Sequence, residues 1–150
     1  MAKVYPFFIA VLLIIFSSSN ASAIEELKYD TNISFTSRFH INAYIASEYE
    51  SDPDIYRIAP IDLNNDGNDE FILQRKNCYI EKKVCTHLII AEKDSEILLL
   101  SKIRARTLVA AGTFSHRIKD ILAFKNGVND YDFEIYMWSP SEKTYILKAE

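Results

Sequence analysis

Three glycines, four prolines and two cysteines are all that this chain of 150 residues contains of the residues that punctuate or staple a backbone. There is no linker rich in Pro, Gly or Ser, no low-complexity tract and no internal repeat, which excludes solenoids and loosely tethered arrays. The three histidines, His40, His87 and His116, are scattered, so the H-x-x-x-H pair of a zinc helix is absent. No G-x-S-x-G elbow, phosphate loop or nucleotide fingerprint occurs, and with them go the common hydrolase and nucleotide-enzyme readings.

The one long apolar run lies at the start. "MAKVYPFFIAVLLIIFSSSNASA" carries a single charge at Lys3, 13 apolar residues from Val4 to Phe16, and Ala21-Ser22-Ala23 as a small-x-small cleavage signal. Thirteen residues are too few to span a bilayer comfortably, so residues 1–23 read as a cleaved secretory signal. No cysteine stands near the cut to carry a lipid. The mature chain is then residues 24–150, 127 residues forming one domain with one core. Losing Lys3 from the 17 basic residues leaves 16 against 21 acidic ones, a balance of −5 that disfavours nucleic acid as a partner. Ile97-Leu98-Leu99-Leu100 is flanked by Glu96 and Lys102, so no membrane span is expected after cleavage. The expected location is outside the cytoplasm, periplasmic or secreted.

That compartment governs the cysteines. Cys78 and Cys85, with six residues between them in "NCYIEKKVC", are expected to form a disulfide in oxidising surroundings. A thiolate metal pair or a nucleophilic thiol would instead call for a reducing compartment or a partnering histidine. From Ile55 onward, "IYRIAPI", "EFILQR", "THLIIAE", "EILLLSKI", "TLVAAG", "DILAFKN", "YDFEIYMW" and "KTYILK" read as short strands. "EKDSE", "KNGVND" and "SPSEK" read as hairpin loops. Before Ile55, Ile41, Tyr44, Ile45, Glu48 and Tyr49 match helical spacing and predict a helix over 37–49, with Thr36 or Ser37 as cap and Asp52-Pro53 as stop. The expected class is α+β, mainly antiparallel β: one N-terminal helix packed on a sheet of about eight short strands.

The most pointed stretch is "DLNNDGNDEFIL", residues 62–73. Oxygen-bearing side chains fall at Asp62, Asn64 and Asp66, a glycine follows at Gly67, and Glu70 comes three residues later. A hard cation takes six to eight oxygens, and a tight loop supplies them by turning alternate side chains inward. The Asn68 carbonyl would add a backbone oxygen. Without sulfur or imidazole in the loop, calcium is favoured over zinc or copper, and over magnesium, which holds its waters. An EF-hand would need a glutamate where Leu73 stands. The stretch resembles the calcium loops of FG-GAP and VCBS-type repeats, D-x-N/D-x-D-G-x-x-D before a strand, with Glu70 one methylene longer than the family's final aspartate. The resemblance covers residues 58–73 and implies a strand–loop–strand unit with Asp62, Asn64, Asp66, Asn68 and Glu70 as calcium ligands. The competing reading is an Asx-rich turn that needs no metal.

Two further features carry less. Asn126, Gly127, Asn129, Asp130 and Asp132 fit no ligand spacing and read as an ordinary hairpin loop. In "YDFEIYMWSP", Phe133, Ile135 and Met137 share one strand face and read as core. Tyr136 and Trp138 share the other with Asp132 and Glu134, which reads as a solvated face or, in the sharper reading, as a binding-face anchor for a protein or glycan partner. The combined expectation is an exported, non-catalytic calcium-binding module of the inhibitor, immunity or adhesion-accessory type. An envelope structural subunit and a hydrolase acting on wall or glycan material are the alternatives. Chain isolated from an oxidising compartment should show no free thiol before reduction and two afterwards, read by intact mass after alkylation; two thiols at the outset would refute the bridge.

Overall fold

All eight segments rich in β-branched and aromatic residues form strands in the computed structural model, which describes residues 24–128 and 131–149; the leader 1–23, Asn129, Asp130 and Glu150 lie outside that description. The strands are β2 (Tyr56–Ile61), β3 (Glu70–Arg75), β4 (Cys85–Lys93), β5 (Glu96–Ala105), β6 (Thr107–Ser115), β7 (Ile118–Phe124), β8 (Phe133–Ser139) and β9 (Thr144–Leu147). A two-residue strand β1 (Glu25–Glu26) precedes them. Every pairing is antiparallel. The α+β class is therefore as expected, but the strands divide between two sheets, β2-β3-β4-β5 and β1-β6-β7-β8-β9. The division falls at Arg106, the one residue between β5 and β6.

Helix α1 (Phe35–Tyr49) covers one face of the first sheet. Its cap is Ser34, whose hydroxyl accepts the Ser37 N–H at 2.9 Å, and not Thr36 or Ser37 as the spacing predicts. Three hydroxyl residues are clustered there, and the one three positions before a helical amide wins because it satisfies an orphan donor of the first turn. The helix stops at Glu50, left-handed at φ 45°, ahead of a 3-10 turn at Pro53–Ile55 that Asp52 caps. Ile41 and Ile45 are fully buried against Ile58, Phe71, Leu73, Leu88 and Ile90.

The other face of the first sheet packs on the second sheet. Ile61, Ile72, Ile89 and Ile103 meet Leu108, Ala110, Ile121, Ala123 and Tyr145. Strand β3 is thus covered on both sides, and its Phe71-Ile72-Leu73 segment is apolar without alternation, each of those side chains contributing about 2 kcal/mol by leaving water. Strand β8 alternates as expected, but its faces are reversed. Tyr136 and Trp138 turn toward the core between the sheets, with Trp138 edge-on to Tyr145 at 5.5 Å, while Ile135 packs on the outer face with Phe124. Aromatic and aliphatic residues occupy both faces of this strand, so alternation alone does not reveal which is inner.

Scarce glycine leaves its mark on the turns. Ten described residues other than glycine take positive φ, among them both central residues of two hairpins: Asp94–Ser95 (51° and 70°) and His116–Arg117 (53° and 70°). Those angles are the mirror-image two-residue turn that matches strand twist, here made without its usual glycine. The disulfide expected between Cys78 and Cys85 is present, joining the short helix α2 (Lys76–Ile80) to the first residue of β4.

One buried side chain makes stability depend on pH. His87 is fully buried in β4, and burial pushes its pKa down from 6.5 to about 4, hydrogen bonding to the backbone at Cys85 and Ile103 opposing only in part. A depressed pKa means that the folded state keeps the neutral ring; the stability is complete above pH 6.5 and is lost as pH falls toward 4. Over that interval His87 should remove about 3 kcal/mol. Urea unfolding from pH 7 to 4 should therefore show a steeper acid loss for the native chain than for His87→Leu; equal slopes would contradict a ring kept neutral by burial.

Candidate metal centre

The loop 62–69 leaves β2 after Ile61 and returns at Glu70, the residue paired with Ile61 across the β2–β3 ladder. Its side chains act first on its own backbone. Asp62 accepts the N–H groups of Asp66 at 3.2 Å and Gly67 at 3.0 Å, one on each carboxylate oxygen. Asn64 Oδ1 accepts the same Asp66 N–H at 2.9 Å, and Asp66 Oδ1 accepts the Asn68 N–H at 2.7 Å and its side-chain amide at 3.1 Å. The bond from the Asn68 backbone contributes most to lowering the pKa of Asp66. Gly67 sits at φ +86° with nothing within 4 Å of where a Cβ would be, so glycine is needed there for backbone conformation and not for space.

Glu70 differs from the rest. It opens β3 on the inner face and is 8% exposed, and its carboxylate accepts the buried Leu63 N–H at 2.9 Å and the Asn64 amide at 3.1 Å. Burial raises its pKa to about 7; the Leu63 bond opposes the rise, and the charges of Asp66 and Asp62 add to it. Three carboxylates therefore share one field, which a cation would relieve.

The structure thus brings Asp62, Asn64, Asp66, Asn68 and Glu70 into one hydrogen-bonded loop. Their donor chemistry fits a hard cation: every side-chain ligand atom is oxygen, and an oxygen accepting a single N–H retains a lone pair. Glu70 also serves as an acceptor for Leu63, a role the spacing does not announce but the Ile61–Glu70 register does. Among the described residues, no three His, Cys, Asp or Glu side chains are grouped closely enough to enclose an ion. The bonds drawn here are equally those of an Asx-rich turn.

Beside the loop opens a cleft of about 820 Å³, with Ser34 and Ser37 at the start of α1 and the Glu92–Ser95 hairpin as its far wall. His40 and Glu92 pair there at 2.5 Å. Burial works against the charge on Glu92, yet hydrogen bonds from His40 and Ser37 hold its pKa below the ordinary value. Nothing in the spacing of Ser34, His40 and Glu92 marks them as neighbours. Tyr136 and Trp138, by contrast, are half-buried packing residues and contribute nothing to the lining of this cleft.

Comparison of the chain with family models, with curated proteins and with solved structures found no match. In metal-free buffer, Glu70→Ala should cost about 2–3 kcal/mol by leaving the buried Leu63 N–H without an acceptor. Asp69→Ala, an exposed neighbour, should stay within about 0.5 kcal/mol. Denaturant titration of both variants decides the matter, and equal small losses would mean that Glu70 does not hold the loop to the core.

Proposed function

We propose that residues 24–150 act outside the cytoplasm as a non-catalytic, calcium-stabilised module that binds a protein or a glycan, in the manner of an inhibitor, an immunity protein or an adhesion accessory. The observation that carries this reading is the loop at the end of β2, where Asp62, Asn64, Asp66 and Glu70 present oxygen atoms around one turn and two aspartates press on a buried glutamate. Asp62, Asn64, Asp66 and Glu70, with the Asn68 carbonyl, would hold the ion. Calcium there would supply charge neutralisation and a rigid closure of the β2–β3 turn. The disulfide is compatible with an oxidising location, and no described helix is long and apolar enough to cross a membrane.

The polar cleft beside the loop supports a binding role over a purely structural one, because the ion would stiffen one of its walls. Ser34, Ser37, Asn64 and Asn68 offer hydroxyl and amide groups suited to a glycan or a peptide backbone.

An ion that binds only the folded state stabilises it by RT ln(1 + [L]/Kd), about 2.7 kcal/mol at a hundredfold excess over Kd. Extracellular calcium modules often have Kd near 10⁻⁴ to 10⁻³ M, so millimolar calcium should give a smaller but titratable rise in Tm. Asp62→Ala and Asp66→Ala should each abolish the shift, Glu70→Gln should weaken it, and magnesium should do less at equal concentration. A Tm that stays constant into tens of millimolar calcium, with no heat by calorimetry, would leave the loop as an Asx turn and end the calcium reading.

A further inference from the structure

Strand β2 carries a charge on its inner face. Arg57 is in phase with Ala59 and Ile61, both buried, yet its side chain ends among aromatic rings. Its guanidinium carbon lies 4.1 Å from the centroid of the Tyr29 ring and 3.9 Å from that of Tyr79. The guanidinium is therefore held against two tyrosine rings at once. Nη1 is buried with no hydrogen-bond partner, and among the described residues no carboxylate pairs with Arg57. Burying one edge of a cation with no acceptor is costly, and stacking on two tyrosines returns only part of that cost.

A cavity of about 320 Å³ adjoins the stack, lined by Leu27, Tyr29, Arg57, Gln74, Tyr79 and Leu108 among others. Gln74 is Arg57's partner across the β2–β3 ladder, and its amide is fixed by donating to the Arg106 carbonyl at 3.1 Å. We infer that this cavity binds a carboxylate, gripped edge-on by Arg57 between Tyr29 and Tyr79, with the apolar part of the ligand against Leu27 and Leu108.

Three features select that chemistry. The guanidinium has two rings against it and no carboxylate of the chain paired with it, and its N–H groups lie in its own plane, the direction in which it can give two parallel hydrogen bonds to a carboxylate. The cavity holds one cation, Arg57, and Glu26 lines it too, so its charge balance disfavours a doubly charged phosphate, while Leu27, Leu108, Val109 and Val128 give it an apolar side. Its volume suits a short-chain acid or the last residues of a peptide. Tyr79 lies on α2, which the Cys78–Cys85 bridge ties to β4, so the outer ring is held over the arginine by a covalent brace. The inference is independent of the calcium loop, since Arg57 and Asp62 lie toward opposite ends of β2.

Calorimetric titration of the oxidised mature chain with sodium butyrate, acetyl-Ala-Ala, acetyl-Ala-Ala-amide and inorganic phosphate tests this. Saturable heat is expected with at least one carboxylate and not with the amide. Butyrate binding as tightly as the peptide assigns a free small acid; the peptide alone assigns a chain terminus. Arg57→Lys should weaken binding roughly tenfold by removing the planar fork, Tyr79→Ala by roughly threefold, and Glu26→Gln should strengthen it. Tyr79 is exposed on a short surface helix, so that variant decides the question even where Arg57→Lys fails to fold. Silence from both carboxylates, equal binding of the amide, preference for phosphate, or variants that bind like the native chain would each overturn the proposal and leave Arg57 as a packing residue.

Discussion

Sheet β2–β5 has to be covered on both faces, and the rest of the molecule follows from that constraint. Its central strands present apolar side chains in both directions, Ile72 toward one side and Phe71 and Leu73 toward the other. Helix α1 covers one face and the second sheet covers the other. The polar groups of the candidate sites lie toward the ends of the strands: the oxygen-rich loop after Ile61 at one end of β2, and Arg57, Gln74 and His87 toward the other. About 17 Å of strand separates Arg57 from Asp62 at the usual rise per residue. One rigid strand thus carries both candidate sites, and neither requires the other to form.

How much of this was legible depends on what kind of signal each part leaves. The eight strand segments and α1 announce themselves because β-branched runs and a 3.6-residue apolar spacing are local properties. The division into two sheets leaves no such trace. Its joint, Ala105-Arg106-Thr107, has neither glycine nor proline, and the bend comes from the two sheets packing on each other. The His116–Arg117 reversal was equally silent, since neither residue is a usual choice for positive φ. The inner face of β8 was misassigned because Tyr136 and Trp138 looked like a surface pair beside Glu134, when the core between the sheets needed their bulk.

The loop was readable for the reason that β8 was not: Asp62, Asn64, Asp66 and Gly67 serve local geometry, so their spacing carries the information. Glu70 belongs to two systems at once, and only strand register shows the second. Arg57 stood in plain view as a charge in phase with Ala59 and Ile61. Its spacing does not say what it meets, because Tyr56 and Ile58 on the opposite face are buried as well and the strand has no solvent side to contrast with.

The Arg106 joint also translates into an order of events. On either side of it lies a simple meander in which β2 through β5, and then β6 through β9, each pair with the next strand along the chain. Most of those pairings close short loops, and loop-closure entropy rises only slowly with length, so each half can zip locally at little cost. The distant encounters are the docking of one meander on the other, the seating of α1 and the addition of β1 to β6. A chain that starts unfolded thus meets its long-range problem late, with two nearly finished halves to bring together. Its single pair of cysteines, next-door neighbours in space, has only one way to be oxidised at any stage of that assembly.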